Sequence, residues 1–435
     1  MRALTRGGRV AAALITALLA GCSKPEPIAE TAGSTDADAD VDADSDADAD
    51  ADADTDADTD TDTDADADTD WPDGAWALVG GTIVDADGAR PGAVVIVGDV
   101  IVDVLAPGAA LDGVEVVDVT GQFVTPGLID PHVHVFLAGS PTAVGDALSE
   151  NLRASLYFGV TSVVDAGGAL LPSVHLRDRI ARGEVLGPSM KVLGPFLTAP
   201  QSHPCEVWND PDACWFAEDA AAAGLMVDAL TAAGTDGMKA ALADAAFTSR
   251  PRLDPSVLAA AAARVSAAGG LVFAHVDTEA DALDAVTAGA THLAHPPFGD
   301  VSSSGAAAAI AASGAPVHTT VSAFAAVDLL LSGDMPLDDL LLAPGVAANW
   351  AAVVASPGLV DAEWRADTAA WAANARASLA ALDAAGVPLM PASDAGYWYV
   401  PFGWGLHHEL AELRALGWDP QRALTAATVG NARAV

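Results

Sequence analysis

The chain has 435 residues, with 60 Asp and Glu against 19 Lys and Arg, and a formal net charge of −41. That length is enough for a large domain with a buried core plus smaller pieces. The charge excludes a nucleic-acid partner, because so few cations cannot neutralise a phosphate backbone.

The acidity is unevenly spread, and the N-terminus explains why. Residues 1–21 open with Arg2, Arg6 and Arg9 and continue with the apolar run AAALITALLA, and LAGC then ends at Cys22. The apolar stretch is too short to span a bilayer as a mature helix and reads as a cleavable export signal. LAGC resembles a bacterial lipobox, which implies cleavage before Cys22 and lipid attachment to its thiol. Ser23 in the next position is compatible with transport to the outer membrane. The expectation is an exported lipoprotein that meets the membrane only through its lipid, on the periplasmic face or the cell surface. Residues 22–75 would be the tether. From Asp36 to Asp70 every even-numbered residue is Asp, 18 carboxylates in 35 residues. Such a run repels itself and has little apolar surface to bury, so a solvated, extended spacer is expected rather than a calcium site.

Residues 76–125 consist of short β-like runs separated by turn residues (WALVGGTIVDADG, AVVIVGDVIVDVLAPG, VEVVDVTGQFVTPG) and predict a small antiparallel unit. From 126 to 435 the rhythm becomes apolar strand, loop, alanine-rich helix. Strands are expected at 127–134, 160–165, 190–196, 236–241, 271–276, 291–295, 316–321 and 387–392. Asp254-Pro255 and Asp419-Pro420 carry the chemistry of helix starts. Eight strands alternating with helices predict an α/β fold of the (β/α)8 TIM-barrel type. The competing open doubly wound sheet lacks its glycine-rich nucleotide fingerprint here.

In such a barrel the C-terminal strand ends form the active face. Those ends carry His132 and His134 (first strand), Lys239 (fourth), His275 (fifth), His295 (sixth) and Asp394 (eighth). Residues two apart on a strand share a face, so His132 and His134 project into one space. Four imidazoles and a carboxylate suit zinc or a similar divalent ion. Lys239 is one of three lysines in a chain that uses 16 arginines. Set in the apolar stretch DGMKAAL, it should lose its charge through desolvation, and a neutral amine can add carbon dioxide to become a carbamate; a lysine snorkelling its head to water is the alternative. Cys205 and Cys214 bracket EVWNDPDA, and in an oxidising compartment a disulfide is expected before a metal or catalytic thiol. His292, three before His295, is expected to point outside the barrel, His175 to lie on a surface helix, and His407 and His408 to be structural. His318 sits near the seventh strand's end, where a substrate contact is possible but has no support in the sequence.

Taken together these motifs resemble the metal-dependent amidohydrolase superfamily, in its branch similar to imidazolonepropionase and the Xaa-Pro dipeptidases. VTPGLIDPHVHV is similar to the first-strand metal motif, and YFGVTSVVDAGG and RIARGEVLGPSMKVLGPFLTAPQSH to the second and third strands. DGMKA resembles the carboxylated-lysine strand, LVFAHVDTEADALDAVTAGATHLAHPPF the fifth and sixth strands, GVPLMPASDAG the aspartate strand, and LHHELAELRALGWDPQRALTAATVGNARAV the final helices. The resemblance implies one or two divalent ions, zinc being the expected one. His132, His134 and Asp394 would hold the more buried ion and His275 and His295 the more exposed one, with carboxylated Lys239 bridging them. It implies that Asp394 takes the proton of the attacking water, and that His203 lies near the substrate, although packing against Trp208 is an alternative. It further implies a β-sandwich completed by strands after the barrel; as the sequence stops at Val435, either it is a fragment or the sandwich begun by residues 76–125 is incomplete. HPPF also stands where the family has His-Gly.

The expected function is hydrolysis of amide or peptide C–N bonds in small molecules such as dipeptides or N-acyl amino acids. Hydrolysis of cyclic amides, deamination, or ligand binding without catalysis are the other readings, and the oligomeric state is left open.

Overall fold

The structure, a computed structural model, describes residues 71–136, 147–205, 212–242 and 251–435. The export signal, Cys22, the Asp-rich run and Trp208 lie outside these residues. Among the described residues no helix is long and apolar enough to cross a membrane.

The N-terminal strands are β1 (Ala75–Asp85), β2 (Gly88–Val97), β3 (Val100–Leu105), β4 (Glu115–Asp118) and β5 (Phe123–Val124). They form one sheet in the order β3-β2-β1-β4, with β5 also on β1. The expectation of an antiparallel unit holds only for β1, β2 and β3. β4 and β5 pair parallel to β1, because the chain crosses from β3 to the opposite edge of the sheet before it returns. Ala75, Ala77 and Val95 form a small core on one face. Val100, Ile101, Val116, Val117 and Phe123 are exposed.

The barrel strands are β6 (Leu128–Val133), β7 (Val160–Asp165), β8 (Ser189–Val192), β9 (Phe196–Thr198), β10 (Cys214–Phe216), β11 (Gly237–Leu242), β12 (Leu271–Val276), β13 (His292–Ala294), β14 (Val317–His318) and β15 (Leu389–Met390). All pairings among them are parallel, in the runs β6-β7-β8 and β10-β9-β11-β12-β13-β14-β15. Two seams close the ring. Asp236 N donates to Val192 O (2.8 Å), and on the other side Asp394 N donates to His132 O (2.8 Å) and His134 N to Ala395 O (2.7 Å). The expected third strand, 190–196, is broken between β8 and β9. Gly194 takes a left-handed φ of 75° there and Pro195 has no N–H for a ladder.

Helices alternate with these strands, and both expected starts carry their caps. Asp254 Oδ1 accepts from Ser256 N (2.8 Å) ahead of the helix Pro255–Ala267, and Asp419 Oδ1 accepts from Arg422 N (2.8 Å) ahead of the helix Pro420–Thr425. Alanines on the inner helix faces, such as Ala261, Ala262, Ala282 and Ala307, are buried against the outer strand faces, and their small side chains let helix and sheet approach closely. At the chain's end Asn431 Nδ2 donates to Ile129 O (2.8 Å) and Pro391 O (2.9 Å), tying the first and last barrel strands together.

Candidate metal centre

His132, His134 and Asp394 present ligand atoms that all lie within 4.8 Å of one another. His134 Nε2 is 3.0 Å and His132 Nε2 3.4 Å from Asp394 Oδ1. His295 adjoins them, its ring centroid 5.2 Å from that of His132, and His275 packs 4.7 Å from His295. Lys239 Nζ reaches His132 Nε2 at 3.0 Å, and the side chain is 1 % exposed. The six strand-end residues singled out in the sequence thus converge on one place.

The backbone bends to bring them there. His295 (φ 79°), Thr320 (φ 36°) and Asp394 (φ 61°) are non-glycine residues in the left-handed region. That conformation is costly, most of all for a β-branched threonine, and such strain concentrates at functional sites. The turn at His295 also corrects one expectation. His292 does not point out of the barrel; it packs inside, 4.5 Å from Phe273 and 5.7 Å from His318. Strand alternation places His292 inward, and the left-handed residue then swings His295 to the same side.

Each imidazole has one nitrogen held and one turned inward. His134 Nδ1 is 2.7 Å from the carbonyl of Gly167, which can only accept, so the ring proton sits on Nδ1 and Nε2 is free. A side chain at Gly167 would run into the Phe196 ring. His275 Nε2 lies 2.8 Å from Asp277 Oδ1, which leaves Nδ1 as the ligand atom. His295 Nδ1 is 2.8 Å from Thr320 Oγ1, leaving Nε2. Such outer partners fix tautomer and ring orientation at metal sites. Burial pushes the pKa values of His132 and His295 well below the ordinary range and lowers that of His275, which keeps all three neutral and able to ligate. Burial likewise brings Lys239 down to about 7, so a sizeable fraction is free amine at neutral pH, the form that adds carbon dioxide.

These residues fit a divalent ion. Asp394 Oδ1 is buried without a hydrogen-bond donor and faces the Nε2 atoms of two imidazoles, a nitrogen and oxygen donor set suited to such an ion. The cavity above them is lined by Phe196, His203, Phe298, Phe324 and Tyr397 as well as every ligand candidate except His132. His203 is buried, its ring 4.8 Å from that of His275. Cys205 and Cys214 are joined by a disulfide just beyond it.

The other histidines stand away from the cavity. His407 Nε2 donates to Phe158 O (2.7 Å), His408 Nδ1 meets Ser322 Oγ (2.9 Å), and His175 is exposed. His318 is fully buried beneath His132 rather than at the mouth, so it has no access to a substrate.

Sequence reasoning missed several supporting groups. Asp130 accepts from Ser393 Oγ (2.5 Å) and Ser393 N (3.0 Å), pinning the eighth strand to the first, and burial raises its pKa to about 7. Asp130 precedes His132 by two, as Asp277 follows His275 by two, and that shared-face spacing was a usable signal. Glu409 offered none. It is fully buried on the helix Trp404–Ala415 and accepts from Thr319 Oγ1 (2.7 Å) and Ser322 N (2.5 Å), bracing the turn that carries Thr320.

Burial raises the Glu409 pKa from 4.5 to about 7. The native state therefore keeps a proton that the unfolded chain releases, and stability falls as pH rises across that window, by on the order of 3 kcal/mol at most. Glu409→Gln cannot ionise, so its advantage over the wild type should grow between about pH 5 and pH 8 in thermal denaturation. Parallel pH curves for the two proteins would contradict this.

Residues 123–435 match the Amidohydrolase family. Adenine deaminase 2 of Rhizobium etli is 40% identical over 89 residues, covering 20% of this chain and 14% of that protein. Imidazolonepropionase of Myxococcus xanthus is 36% identical over 97 residues, covering 21% of this chain and 22% of that protein. These matches span less than a quarter of the length of either relative. A solved Xaa-Pro dipeptidase with methionine bound in its active site superposes with a TM-score of 0.66 at 19% identity, covering 83% of this chain and 88% of the other. That likeness concerns the fold.

Proposed function

The chain belongs to the Amidohydrolase family, a family that uses divalent metal, and from that premise we propose that its barrel is a metal-dependent hydrolase of amide or peptide C–N bonds. The observation that carries the reading is the convergence of four imidazoles, Asp394 and a desolvated Lys239 on one buried point. His132, His134 and Asp394 would hold one ion, His275 and His295 a second, and carboxylated Lys239 would bridge them. Zinc suits this nitrogen and oxygen set. When bound, the ion activates water at neutral pH and polarises the scissile carbonyl.

The chain's own residues do the rest. Gly167, Asp277 and Thr320 aim the ligand nitrogens. Asp394, whose Oδ1 lies 3.4 Å from His132 Nε2 and 3.0 Å from His134 Nε2, would take a proton from attacking water and deliver it to the leaving nitrogen. Phe298 and Phe324, with ring centroids 4.4 Å apart, give the cavity an apolar wall. That wall supports a substrate with an apolar group beside the amide, such as a dipeptide or N-acyl amino acid, with His203 contacting its polar end.

The local identity to adenine deaminase 2 and imidazolonepropionase favours a second reading, deamination or cyclic-amide hydrolysis on the same centre. Zinc-loaded protein assayed against dipeptides, N-acyl amino acids, cyclic amides, imidazolones and aminopurines separates the two. Turnover of linear amides supports the first, and turnover of rings or aminopurines alone supports the second. We also propose that Cys22 is lipidated and holds the barrel at the outer membrane through the Asp-rich tether, supported by the LAGC ending and the solvated composition of residues 36–70. Cys22→Ala should move the protein from the membrane to the soluble fraction; continued membrane association would refute the anchor.

A further inference from the structure

Three of the four candidate ligand imidazoles are steered by a carbonyl, a carboxylate or a hydroxyl, whereas His132 meets another imidazole. His132 Nδ1 faces His318 Nδ1 at 3.2 Å, with the rings edge-on at 69° and their centroids 5.3 Å apart. We infer that His318 is a positioning residue that locks His132 in the tautomer whose Nε2 lone pair faces the metal centre. The inference rests on the proposed function, since it concerns how that centre is aimed.

Two Nδ1 atoms at this distance can share only one proton, so one ring donates and the other accepts. His132 Nε2 points the other way, toward Lys239 Nζ at 3.0 Å and Asp394 Oδ1 at 3.4 Å. A neutral imidazole carries one N–H. If Nε2 is to offer its lone pair, the His132 proton must sit on Nδ1 and be donated to His318, and His318 must then carry its own proton on Nε2. That atom is buried without a partner, against Phe273 at 4.7 Å between ring centroids. His292, the next ring down, uses both of its nitrogens elsewhere, on Thr291 Oγ1 (2.9 Å) and Ala434 O (3.0 Å). An orphaned buried N–H costs stability that an apolar residue of the same shape would avoid. The cost makes sense if the opposite nitrogen has a task, and accepting from His132 is the arrangement that leaves the His132 Nε2 lone pair facing the centre. A ring in the reverse arrangement, with His132 protonated on Nε2, would present a hydrogen to the centre instead of a lone pair.

The test uses two substitutions and one spectrum on the full chain. His318→Leu removes the acceptor while keeping an apolar filling, and His318→Asn places a carbonyl oxygen close to where Nδ1 stood. Zinc affinity of the metal-free proteins is measured by competition with a chromophoric chelator. The leucine variant should bind its tightest zinc about 10- to 100-fold more weakly, the scale of losing an outer partner of a ligand histidine. The asparagine variant should stay within about threefold of wild type, the melting temperature of the metal-free leucine variant being no lower than that of wild type. In zinc-loaded wild type, nitrogen-15 resonances should show His132 protonated on Nδ1, a readout that stands even if the leucine variant does not fold. Unchanged affinity in the leucine variant, equal weakening in both variants, or a His132 proton on Nε2 would overturn the inference. A wild type that takes up no zinc overturns both the inference and the function beneath it, whereas zinc binding indifferent to position 318 overturns this inference alone.

Discussion

Lys239→Ala should lose about a thousandfold or more in kcat/KM. Losing the proposed carbamate bridge would take away an anionic ligand from both proposed ion positions, worth several kcal/mol of transition-state stabilisation, at about 1.4 kcal/mol per factor of ten. Lys239→Arg should fail as well. A guanidinium stays protonated and cannot form a carbamate, and it would put a fixed charge where Nζ now lies 3.0 Å from His132 Nε2. A short-chain carboxylic acid added to the alanine variant should restore part of the activity by standing in for the carbamate oxygens. Full activity in Lys239→Arg would show that the side chain does no more than fill space.

The second large effect belongs to Asp394. Asp394→Asn keeps an oxygen at the Oδ1 position, so metal uptake should persist while proton transfer is lost. A positioned acid–base group contributes about 10²- to 10⁴-fold, and kcat should fall in that range with little change in KM. A variant within about tenfold of wild-type kcat would remove Asp394 from the chemistry and leave it as a ligand alone.

Much of this site could be read from the sequence because barrel geometry turns strand ends into a shared surface. His132 and His134 declared themselves by their spacing, and Lys239 by its rarity in an arginine-using chain. The fifth strand, Leu271–Val276, has the bounds its apolar run predicted. Other positions escaped because their cause is long-range. His292 was misplaced because alternation breaks at His295, where the backbone adopts a φ of 79° that no local pattern announces. The parallel pairing of β4 and β5 with β1 depends on where the connection crosses the sheet, not on the strand residues themselves. Nothing in the sequence beside His318 or Glu409 marks its role, which comes from partners 186 and 87–90 residues away in the chain.

Elemental analysis of the purified protein, before and after chelation, tests the central claim most directly. The account predicts one to two divalent ions per chain after growth with zinc supplied, activity lost when they are stripped and regained when zinc is returned. It also predicts that His132→Ala and His295→Ala each lower the stoichiometry. A protein that carries no stoichiometric metal, or hydrolyses its substrate equally well without it, would contradict the account.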